Sequence, residues 1–169
     1  MASSVSLDDF DAARREFESA FATIPDDALR YLQPGDEYAL GGLLVHVNWV
    51  LVHYERVLDG ILDGGFAEFR ATDPQDELTR TAENTKRGLD AAQRRRELAL
   101  TAELHERLRR RFTQVPDADW SRKAPVLYGP DAAEAYPTSP ADIEGWLRDH
   151  YREHVPQIGD LVASWRKQA

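Results

Sequence analysis

Between Ile143 and Trp165 the chain sets apolar or histidine side chains at Ile143, Leu147, His150, His154, Ile158, Leu161 and Trp165, in steps of four, three, four, four, three and four residues. That repeat is the core-facing stripe of an α-helix. It is incompatible with a strand, whose faces alternate at every second residue. Such a helix must bury its stripe against other helices, yet two of the positions that call for leucine carry imidazoles. Histidines four apart lie one turn apart on the same face, so both can reach a single ion.

The rest of the chain supplies the packing partners. A first helix is expected after Ser6, with Asp8 and Asp9 complementing the positive end of its dipole and Phe10, Phe17, Phe21 and Ile24 as its buried stripe. It ends before Pro25. After the Pro34-Gly35 break, a second helix is expected from about Glu37 to Asp63, closed by Gly64-Gly65. Gly41-Gly42 near its start weakens helix propensity. The pair is read as a frayed first turn rather than as a close backbone approach.

A third helical segment runs from Asp73-Pro74 to about Val115, with a bend or break between Asn84 and Gly88. Residues 116–139 then carry Pro116, Pro125, Pro130 and Pro137 without a clear period, so they are expected to form a long loop. The last helix opens with Ser139 as cap, Pro140 in its first position and Asp142 three residues after the cap. It should continue to about Lys167, with a kink at Pro156, which cannot donate to the Arg152 carbonyl. No persuasive strand is visible. The expected fold is all-α: a four-helix bundle with a long crossover loop before the last helix, spanning residues 1–169 as one domain.

Composition narrows the function. The net charge of −9 argues against a nucleic-acid binder, which needs a basic footprint. Arg94-Arg95-Arg96 and Arg107, Arg109, Arg110 and Arg111 are read as a solvated face balanced by Glu97, Glu103 and Glu106. No apolar run approaches the roughly 20 residues that span a bilayer. Met1-Ala2-Ser3-Ser4 lacks the basic and apolar regions of a signal peptide, so a cytoplasmic location is expected. Cysteine is absent, which leaves His, Asp and Glu as possible metal ligands.

His46 lies on another apolar helical segment, one face with Val50, His53 and Val57. Either His46 or His53 could complete a site with His150 and His154; His46, flanked by Leu44, Val45 and Val47, is the better buried of the two. The alternative for each is a hydrogen-bonded core histidine. His105, among Glu103, Glu106 and Arg107, is read as a boundary residue, and Asp149 and Glu153 as solvated charges. Trp120 and Tyr128 either line a substrate entrance or anchor the long loop.

Leu43-Leu44-Val45-His46, together with Asp149-His150-Tyr151-Arg152-Glu153-His154-Val155-Pro156-Gln157-Ile158, resembles the DinB-like superfamily of helical metalloproteins, which includes YfiT-type hydrolase candidates and bacterial thiol S-transferases. The resemblance covers nearly the whole chain. It implies a divalent metal, commonly zinc or nickel, held by one histidine of the second helix and two of the last: His46, His150 and His154. It further implies hydrolysis, or transfer chemistry with a low-molecular-weight thiol, on a small-molecule substrate. His53 is the candidate general base. The competing expectation is a non-catalytic metal-binding or stress-related interaction bundle. A homodimer is compatible with both, and an enzyme should have an open cavity walled in part by the long loop.

Overall fold

The computed structural model describes residues 4–168; the reading of Met1-Ala2-Ser3 lies outside them. Five helices carry the fold: α1 (Asp8–Ala22), α2 (Gly42–Asp63), α3 (Gln75–Arg87), α4 (Ala91–Thr113) and α5 (Pro140–Lys167). The all-α class holds, but the expected third helix is two. Gly88 adopts φ +73, a left-handed conformation that stops α3, and Asp90 restarts the chain as the cap of α4. Asp90 and Gln93 form a reciprocal capping box there. Ser139 and Asp142 do the same for α5, as the sequence predicts. That last helix runs unbroken through Pro156, which sits exposed.

Three short strands correct the all-helical reading of the connections. β1 (Phe69–Ala71) pairs parallel with β2 (Ala124–Tyr128), and β2 pairs antiparallel with β3 (Tyr136–Thr138). The prolines of residues 116–139 hid the pattern. Pro125 is tolerated because β1 pairs only with Val126–Tyr128, so at Pro125 the middle strand has a neighbour on one side alone. Trp120 anchors this segment: its ring meets Phe112 edge-on at 5.7 Å, and its carbonyl accepts the Ala141 N–H.

α1 packs along α5, and α2 packs against α3, α4 and α5. Phe10, Phe17, Phe21, Leu43, Leu44, Leu51, Leu58, Phe112, Ile143, Leu147 and Tyr151 are buried between them. His105 is not a boundary residue; it is fully buried. Its Nε2–H donates to Asp11 at 2.8 Å, leaving Nδ1 to accept the Tyr151 hydroxyl at 3.0 Å, and its ring stacks on Phe10. This buried chain ties α1, α4 and α5 together with every polar atom of the imidazole satisfied. Burial lowers the His105 pKa, against the pull of Asp11.

The arginines of α4 are balanced chiefly by carboxylates of other elements and not by the expected Glu97, Glu103 and Glu106, of which Glu103 reaches Arg107 at 4.0 Å. Arg94 pairs with Asp26, Arg107 with Glu55, Arg109 with Asp11, and Arg111 with Asp59 and Asp63.

The second helix begins at Gly42 rather than Glu37, and Gly41-Gly42 is not a frayed turn. A Cβ on Gly42 would overlap the Thr85 carbonyl oxygen and lie 2.7 Å from its carbon. That glycine lets α2 touch the end of α3, which forms one wall of the candidate site.

Candidate metal centre

Two helices build the centre. α5 presents His150 and His154 one turn apart, and α2, crossing the same region, presents His46. The three imidazoles each offer a ligand nitrogen, all within 4.8 Å of one another. Their ring centroids are 4.5, 5.0 and 5.5 Å apart, and the rings stand at 60° to 88° to each other, so they surround a common point instead of stacking. His150 Nε2 and His154 Nε2 lie 3.2 Å apart. A cation bound at 2.0–2.1 Å by two tetrahedral nitrogens holds them about 3.3 Å apart. The donor set and spacing therefore suit a divalent cation.

Neighbouring side chains orient the ligands. His154 Nδ1–H donates to Gln157 Oε1 at 2.7 Å, which leaves the lone pair on Nε2, the atom facing His150. Tyr38 stacks on His46 at 4.7 Å. Burial, with the nearby His154, lowers the His46 pKa to about 4; burial, with His154 and His46, lowers that of His150 to about 3. Burial also lowers the His154 pKa, against the hydrogen bond it donates to Gln157. All three imidazoles are thus neutral near pH 7, the form that ligates a metal.

His46 also lines an open cavity of about 370 Å³. Its walls are Glu37, Tyr38 and Trp49, with Leu78, Thr81, Ala82, Thr85 and Lys86 of α3. The expected long loop takes no part in this wall. The short helix α3, which the sequence merges with α4, takes its place. Gln157, Tyr38 and Trp49 were missed in the sequence. Gln157 alone carried a signal, standing three residues after His154 on the same helical face.

His53 does not join the cluster. It lies seven residues beyond His46, about 10 Å along the helix axis. There its Nδ1–H donates to Asp73 at 2.7 Å, and its ring stacks on Trp49. Arg56 bridges the same Asp73 and Glu77, fixing the carboxylate. Asp149 is exposed and contacts Arg148 at 3.8 Å; Glu153 is exposed as well.

No helix is long and apolar enough to cross a membrane among the described residues. The comparison with curated proteins gives no match. Residues 9–158, which include all three clustered histidines, match the DinB superfamily. With a histidine trio that could hold a metal ion set between α2 and α5, the chain belongs to the DinB superfamily.

Proposed function

We propose that His46, His150 and His154 hold one divalent cation, zinc or nickel, in the service of a small-molecule hydrolase or thiol S-transferase. The observation that carries this reading is the convergence of three neutral imidazole nitrogens within 4.8 Å beside an open cavity. Three protein ligands leave at least one position for water or substrate, the arrangement of catalytic rather than closed structural sites. Such a cation, when bound, lowers the pKa of a coordinated water or stabilises a thiolate. The chain supplies the rest. Gln157 fixes the ligating tautomer of His154, and Tyr38 and Trp49 give the cavity apolar walls that hold a small molecule and thin out water. His53, oriented by Asp73, is the proton-handling candidate for a substrate that extends two turns along α2.

Metal analysis of the protein purified without chelator, beside His150→Ala, tests the centre. The wild type should carry or take up about one equivalent of zinc or nickel, and the variant should not. A wild type that arrives without metal and takes up neither on addition would overturn the reading.

A further inference from the structure

A second cleft lies further along the α2–α5 seam. Tyr54 of α2, Tyr128 of β2, Tyr136 of β3 and Trp146 of α5 line a shallow hollow of about 430 Å³. The Trp146 ring stands 5.7 Å from Tyr54 at 53° and 6.1 Å from Tyr136 at 47°. The rings are tilted against one another and not stacked. A cluster serving only to pin the β2–β3 hairpin would bury its rings. Here Tyr136 is 57% exposed and the other three are half-buried. Aromatic surface left open in this way is available to a ligand.

The lining selects the occupant. Aromatic faces carry negative electrostatic potential and attract cations. The chain as a whole bears −9. Among the described residues, the cation–π contact recorded is Arg122 over Phe66, outside this cleft. Lys123 and Arg148, on the flanking segments, are paired with Asp142 and Glu144. The four lining residues include no carboxylate, so the cleft offers a primary ammonium no ion pair of its own. A fully methylated ammonium has no N–H groups to pair.

We propose that this cleft is an aromatic cage for a methylated ammonium group, quaternary or trimethylated, carried by a small molecule. Trp146 precedes His150 by one turn, about 6 Å along the axis, so the cleft neighbours the histidine trio along α5. As a statement about substrate, this rests on the metal-centre reading; the cage itself does not.

The test titrates choline, and its neutral tert-butyl isostere, into the full chain and follows the indole N–H resonance of Trp146, assigned with Trp146→Phe. Choline should bind about tenfold tighter than the isostere. Tyr136, being largely exposed, can be changed without emptying the core. Tyr136→Phe should keep the preference and Tyr136→Leu should abolish it. His150→Ala should bind choline like the wild type, which separates the cage from the metal centre. Equal binding of cation and isostere, equal behaviour of the Phe and Leu variants, loss of choline binding in His150→Ala, or no saturable shift would each overturn the proposal.

Discussion

Replacing Gly42 by alanine adds one methyl group where α2 meets α3, and the two levels of description give it opposite signs. As a helix residue, alanine is favoured over glycine by up to about 1 kcal/mol. In the structure the new Cβ would overlap the Thr85 carbonyl oxygen and stand 2.7 Å from its carbon and 2.9 Å from its Cα. Carbon atoms rest near 3.5 Å, so the end of α3 must retreat by roughly 1 Å. Overpacking of this size costs about 1–3 kcal/mol. The retreat also strains the hydrogen bond from Ala39 N–H to that same carbonyl, now 2.8 Å long and worth about 1 kcal/mol. Offsetting these against propensity leaves a net loss of about 1–3 kcal/mol, or a melting temperature lower by roughly 2–12 °C. Urea denaturation and calorimetry of the two proteins measure it directly. Because Thr85 lines the cavity beside His46, the variant should also alter metal affinity. A variant as stable as the wild type, or more stable, would refute the close approach.

Two further outcomes follow from the centre. Folded His46 and His150 titrate near 4 and 3, below the ordinary value of 6.5, so the unfolded chain takes up protons first. Stability of the chelator-treated protein is therefore full above about pH 6.5 and falls as pH drops toward 4, by up to about 1.4 kcal/mol per pH unit for each group; His46→Leu should flatten this slope, and an unchanged slope would contradict the burial argument. Gln157→Leu removes the acceptor that fixes the His154 tautomer and should weaken metal affinity by roughly 10–100-fold with little loss of fold, read by competition with a chromogenic chelator. Unchanged affinity would deny Gln157 its orienting role.

The legible parts of the molecule were those governed by local periodicity and capping. The Ser139 and Asp142 box of α5 needs residues three apart, and the stripe through His150 and His154 needs only 3.6 residues per turn. The strands escaped because they are three to five residues long, carry proline in β2 and β3, and are stabilised by partners as far as 57 residues away in sequence. His105 looked like a boundary residue because its neighbours in sequence are charged, while its neighbours in space are Phe10, Tyr151 and Asp11.

By itself, the sequence determined that the chain is helical, that His150 and His154 share one face, and that thiolate ligation is impossible without cysteine. It left His46 and His53 on the same face of one helix, and periodicity cannot choose between two residues in phase. Helix crossing made the choice. α2 passes α5 so that His46 meets the pair, while His53, two turns on, meets Asp73 instead. Tertiary contact likewise turned Gly42 from a weak helix residue into a close approach and made α3 the wall of the cavity. Crossing position and backbone separation depend on residues far apart in sequence, and only the packed structure fixes them.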